Sequence, residues 1–144
     1  MAGWRFKRGS FEATVFAGLE HEYHYVRSVD GLQWLWGETL GPRVAADLWW
    51  NPTAQTMASA SVGYSPAAAS YFLRGALGWR LFDLLYLGPE AQALGDARYR
   101  QLRFGAHATA LRTGPIEWSA GFGYVHDSDR RAGAYGRIGV LTRY

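Results

Sequence analysis

The chain lacks cysteine, has a single lysine and contains no long apolar run, and each shortage closes off a class of protein. Without cysteine there is no disulfide and no thiolate metal site. Lys7 is the only lysine, so arginine carries the positive charge, and Arg74, Arg80, Arg103, Arg137 and Arg143 fall singly on separate segments. A nucleic-acid binder gathers its charge on one face, so a net charge of +3 dispersed in this way speaks against nucleic acid as a partner. No uninterrupted apolar stretch approaches the roughly 18 residues of a membrane helix. Met1 to Ser10 holds no continuous apolar core of the roughly 7–15 residues that a secretory leader needs.

What the chain does have is alternation. Ile116, Trp118, Ala120, Phe122 and Tyr124 share one parity, while Glu117, Ser119, Gly121 and Gly123 share the other. Successive side chains of a strand point to opposite sides, so this is a two-faced strand. The pattern recurs over about 11–25, 42–50, 55–64, 70–81, 84–94, 99–111, 116–124 and 132–144. Asn51-Pro52-Thr53, Ser65-Pro66, Phe82-Asp83, Gly95-Asp96 and Thr113-Gly114-Pro115 punctuate it as turns. Residues 27–41 break the alternation and form the longest expected loop. Pro89 falls in mid-strand, where it removes a ladder donor, so a bulge is expected at Gly88-Pro89.

The fold class that follows is all-β: an eight-stranded antiparallel up-and-down transmembrane β-barrel with short periplasmic turns, both termini at the periplasmic end and longer loops outside. It occupies 11–144 as one domain, with 1–10 as an N-terminal extension and the leader already missing. A soluble lipocalin-like ligand-binding barrel has the same two faces with the apolar one turned inward. Two features favour the membrane. Trp50, Trp79, Trp118 and Tyr144 fall near one expected level and Tyr64, Tyr71 and Tyr124 near the other, as aromatic girdles do. The polar face is rich in Gly and Ser and thin in charge, unlike a soluble surface.

The charges on that polar face are expected to line the lumen: Glu12, Asp47, Arg74, Arg80, Glu90, Arg103, Glu117, Arg137 and Arg143. Desolvated charges need partners. Folding the chain about its turns predicts a ladder Arg74–Glu90–Arg103, and closure of the last strand on the first predicts that Glu12 meets Arg143. Such groups could form an ion path or a catalytic site. A structural plug is favoured, because eight strands leave an interior only wide enough for side chains.

Several segments resemble a known family. Leu87-Gly88-Pro89-Glu90-Ala91-Gln92, Tyr99-Arg100-Gln101, Glu117-Trp118-Ser119-Ala120-Gly121, Asp127-Ser128-Asp129-Arg130-Arg131, Gly133-Ala134-Tyr135-Gly136-Arg137 and Gly139-Val140-Leu141-Thr142-Arg143 are similar to BcsS, a cellulose-biosynthesis protein encoded beside bacterial cellulose synthase genes. The resemblance covers roughly Gly41 to Tyr144 and is strongest after Leu81. It implies an accessory outer-membrane component of cellulose production or export in Gram-negative bacteria, in the setting of biofilm polysaccharide, and supplies no catalytic residues. Arg137 to Tyr144 also resembles the signal by which outer-membrane barrels engage their assembly machinery, with Thr142 where an apolar residue is usual.

Three groups of residues could carry chemistry. His126, Asp127 and Ser128 have the types of an ester-cleaving set, and a lipid A-modifying barrel esterase is the enzymatic alternative. Against it, Ser128 falls in a charged loop and 132–144 contains no Glu. His21 and His24 point to opposite faces, so no metal or cofactor is expected. Tyr23, Tyr25, Trp34 and Trp36 surround the expected 27–41 loop and could stack on the rings of a glucan, or serve as interfacial packing. The overall expectation is a non-enzymatic accessory that docks secretion components or the emerging glucan, with the lipid bilayer and the assembly machinery as its other partners.

Overall fold

Short turns force consecutive strands to run side by side, and the alternation sets which side each residue takes. In a computed structural model, which describes residues 1–27, 34–67 and 69–142 (for 22–27, 34–39 and 141–142 the backbone only), the result is one antiparallel sheet in strict chain order. Its strands are β1 (Ala2–Arg8), β2 (Phe11–Arg27), β3 (Trp34–Thr53), β4 (Thr56–Ser65), β5 (Ser70–Leu81), β6 (Leu85–Gly95), β7 (Arg100–Thr113), β8 (Ile116–Asp127) and β9 (Ala132–Thr142).

Among the described residues the strands number nine, where eight were expected. Residues expected to be an N-terminal extension form β1, which pairs with β2 from Ala2↔Ala17 to Arg8↔Phe11. Its Trp4 and Phe6 are exposed on the same side as Val15. The odd number puts Met1 at the opposite end of the sheet from residue 142. Among the described residues the sheet is open rather than closed into a barrel: β1 and β9 are its edges, and they run in the same direction. The expected long loop is shorter as well. β2 continues to Arg27 and β3 begins at Trp34, in register as Arg27↔Trp34. Beyond Val44↔Tyr64 this pair has no further neighbour on β4, so it projects as a two-stranded ribbon.

The two rims differ. At one, the connections are 9–10, 54–55, 82–84 and 114–115. Gly9 (φ 58°) and Gly114 (φ 60°) take the left-handed conformation that such tight hairpins demand and that a side chain opposes. At the other rim the connections are 28–33, 66–69, 96–99 and 128–131.

The apolar face is the outer one. Val15, Leu48, Val62, Leu73, Leu77, Phe104, Phe122, Ile138 and Val140 are exposed, whereas Glu90 (3 %) and His107 (1 %) are buried. This is the reverse of a lipocalin-like interior. Trp50, Trp79 and Trp118 stand exposed toward the short-turn rim, and Tyr64, Tyr71 and Tyr124 toward the other. Tyr144 and Arg143 lie outside the described residues.

No bulge forms at Pro89. The register of β5 with β6 runs unbroken from Ala76↔Glu90 to Trp79↔Leu87, but pairing lapses in between. Pro89 has no N–H for the carbonyl of Leu77, and His107 supplies one. Its Nε2 lies 3.1 Å from Leu77 O. A carbonyl only accepts, so Nε2 carries the hydrogen. His107 stands opposite Gly88 on β7, and a Cβ on Gly88 would fall on Leu77 O. The glycine therefore leaves the gap through which imidazole reaches across a strand. The register shifts that do occur are between Trp50 and Thr53 on β3 and between Ala108 and Leu111 on β7.

Candidate functional site

The inner wall at mid-height is organised around one carboxylate. Glu90 Oε2 accepts from Arg74 Nε (3.1 Å) and Nη2 (2.8 Å) and from Arg137 Nη2 (2.9 Å). Glu90 Oε1 accepts from Tyr135 OH (2.9 Å) and Gln92 Nε2 (3.2 Å). A buried carboxylate persists only when its charge and its lone pairs are both met, and here both are. Gly121 gives the cluster its space: a Cβ there would lie 2.5 Å from Glu90 Oε1 and 3.1 Å from Arg137 Nη2. That Arg137 on β9 reaches Glu90 on β6 requires the sheet to curl tightly, bringing strands that are not neighbours together across its hollow side.

The expected Arg74–Glu90 contact is present, but Arg103 is not its third member. Arg103 stands opposite Gln92, and Glu90 opposite Gly105. Arg103 thus stands two residues along β7 from the expected position opposite Glu90, and Arg137 takes the role instead. Arg103 donates to Gln101 Oε1 (2.6 Å) and lies over the Tyr135 ring, 5.5 Å from its centroid. It therefore steadies the phenol that donates to Glu90, in a cation–π arrangement. Glu12 pairs with Arg5, since β1 occupies the flank of β2 where the last strand was expected; its expected partner Arg143 lies outside the described residues.

The remaining expected lumen charges are more peripheral. Arg80 sits at the short-turn rim, 3.5 Å from Asp83. Glu117 is 3.6 Å from Arg112. Asp47 stands between Thr14 and Ser61 in register and is exposed. Arg43, not anticipated in the network, pairs with Glu20.

His126, Asp127 and Ser128 are engaged in shaping their own loop. His126 Nδ1 is 3.2 Å from Arg131 O. Ser128 Oγ accepts from Arg100 N at 3.3 Å. Asp127 accepts from Asp129 N (3.0 Å), Arg131 N (2.9 Å) and Tyr99 OH (3.2 Å). Desolvation raises the Asp127 pKa, but the hydrogen bonds from Arg131, Tyr99 and Asp129 and the charge of Arg131 outweigh it, so the pKa lies below the ordinary value. The residue types of an esterase are adjacent in sequence, yet Ser128 and His126 each bond elsewhere.

Tyr23, Tyr25, Trp34 and Trp36 belong to the projecting ribbon, where Tyr25 stands opposite Trp36, Tyr23 opposite Glu38 and Trp34 opposite Arg27. Their side chains lie outside the described residues. A second feature went unanticipated: a cavity of about 480 Å³ inside the short-turn rim, lined among others by Trp49, Asn51 and Tyr86. Alternation did carry a signal for it, since Trp49 has the parity of inward Asp47 and Tyr86 that of Glu90. Trp49 was hidden beside the outward Trp50.

No curated protein and no solved structure matches the chain. A family model does, described as cellulose biosynthesis protein BcsS, and it spans residues 1–144. The segments that resemble BcsS include Glu90, Gln92, Tyr135 and Arg137 of the Glu90 cluster, and the match extends through β1 to the whole chain: the protein belongs to the BcsS family of cellulose biosynthesis proteins.

Proposed function

We propose that the protein works in the bacterial outer membrane as a non-enzymatic accessory of cellulose biosynthesis and export, its convex face against lipid and its charged face lining an interior. One observation carries this reading: the apolar residues are on the outside and the satisfied charges within. In water that surface would cost about 25 cal/mol for each Å² of apolar area left exposed, and lipid tails remove the cost. The girdle residues Trp50, Trp79, Trp118, Tyr64, Tyr71 and Tyr124 then mark the two headgroup levels. The same reading makes a demand on the sheet edges. Unpaired backbone groups in hydrocarbon cost several kcal/mol each, so the outer edges of β1 and β9 must be covered once the protein is inserted.

Family membership supplies the process, and the charged interior supports the role proposed here. Ion pairs that knot the interior at Glu90 speak against conduction of a polymer, so docking of secretion components or of the glucan is the favoured task. The test is a deletion strain with membrane fractionation. The protein should collect with the outer membrane and migrate faster on gels unboiled than boiled, and its loss should lower cellulose output while leaving lipid A unchanged. Unchanged cellulose output, or recovery in the soluble fraction, would sink the proposal.

A further inference from the structure

The hollow of the sheet is filled at mid-height and unfilled at the short-turn rim. The cavity there, about 480 Å³, is within the roughly 300–1,000 Å³ of small-molecule sites. One wall is aromatic. Trp49 and Tyr86 meet edge to face with ring centroids 6.1 Å apart. Asn51 braces both: its Oδ1 accepts from Trp49 Nε1 (2.7 Å) and its Nδ2 donates to Tyr86 OH (3.1 Å). The aromatic plate is thus held rigid before any ligand arrives, which lowers the entropic cost of binding.

The other walls are charged but balanced. The β1–β2 hairpin contributes Lys7 and Glu12, and the β7–β8 hairpin contributes Arg112 and Glu117. Glu12 already accepts from Arg5, and Arg112 lies 3.6 Å from Glu117. A site for an anion would hold an excess of cations, and a site for an apolar molecule would not carry four ionised groups. Paired donors and acceptors beside a fixed aromatic plate suit a neutral polyhydroxyl compound. Each hydroxyl both donates and accepts, and the C–H face of a sugar ring packs on an aromatic one.

We propose that this cavity binds a short stretch of β-linked glucan, about one or two sugar rings for its volume, entering at the short-turn rim. The choice of a β-linked glucan rests on the role in cellulose biosynthesis. It places carbohydrate contact at the opposite rim from Tyr23, Tyr25, Trp34 and Trp36.

The experiment is calorimetric titration of cellohexaose into the folded protein in detergent, with maltohexaose as the α-linked control. Saturable cellohexaose binding is expected, weakened about tenfold or more by Trp49→Ala and less by Tyr86→Phe, which keeps the ring. Phe122→Leu on the outer face and Trp36→Ala on the ribbon should keep the original affinity. Heat-modifiable mobility identifies folded variants, and Tyr86→Phe reads the site should Trp49→Ala fail to fold. Absent binding, binding lost in Trp36→Ala but kept in Trp49→Ala, or equal binding of maltohexaose would overturn the assignment. A deletion strain that still loses cellulose output alongside such a result would leave the accessory role standing and remove only this site.

Discussion

Two levels of one inner wall are built from the same residue types and end in opposite states. At mid-height Glu90 is surrounded by Arg74, Arg137, Tyr135 and Gln92, and its acceptor positions are occupied. At the short-turn rim Glu12, Glu117, Lys7 and Arg112 stand around open space. The difference lies in what faces each charge. Beside the Glu90 cluster stands Gly121, whose missing side chain lets those from β5, β6 and β9 converge. At the rim, Trp49 and Tyr86 lean on each other and hold the walls apart. A curled sheet of this kind is rigid where it is knotted and open where it is propped.

The strongest way to break that contrast is Glu90→Ala. It leaves the Arg74 and Arg137 guanidiniums close together without their shared counter-charge, and removing one partner of a buried pair costs about 3–5 kcal/mol. Urea unfolding in detergent should show a loss of that size. Glu90→Gln should cost less, because it still accepts from Tyr135. A loss below about 1 kcal/mol for Glu90→Ala would mean that the knot is solvated after all.

A middle-sized effect sharpens the same level. His107→Ala strips Leu77 O of its donor and should cost about 1–3 kcal/mol. Pro89→Ala restores a backbone N–H opposite Leu77, so His107→Ala should cost much less in that background. Additive losses in the double-mutant cycle would show that imidazole and backbone N–H do not substitute for one another.

The smallest effect belongs to the propped rim. Asn51→Ala removes the brace between Trp49 and Tyr86 at a half-exposed position, and about 1 kcal/mol is expected by the same urea measurement. A loss as large as that of Glu90→Ala would mean that the rim is knotted too, and the contrast would vanish.

The pairing of Arg74 with Glu90 was legible in the sequence because both lie on short hairpin strands, where a turn fixes the register. Arg103 was misplaced because an offset along a strand changes the partner without changing the face. The extra strand β1 was missed because Ala2–Arg8 is short and its alternation rests on Trp4 and Phe6 alone. The extension of β2 and β3 was missed because polar and aromatic residues there obscure the period. His107 looked like one more polar-face residue; nothing near it in sequence announces that Leu77 lacks a donor.

Covalent geometry alone decided which residues share a face, since a strand turns its side chains over at every step whatever surrounds it. It also decided where the chain reverses, through Gly9, Gly114 and their neighbours. Only the tertiary structure decided that Arg137 would reach Glu90 and that His107 would cross to Leu77. Both depend on how tightly the sheet curls and on what stands open between strands, and neither is a property of any single stretch of chain.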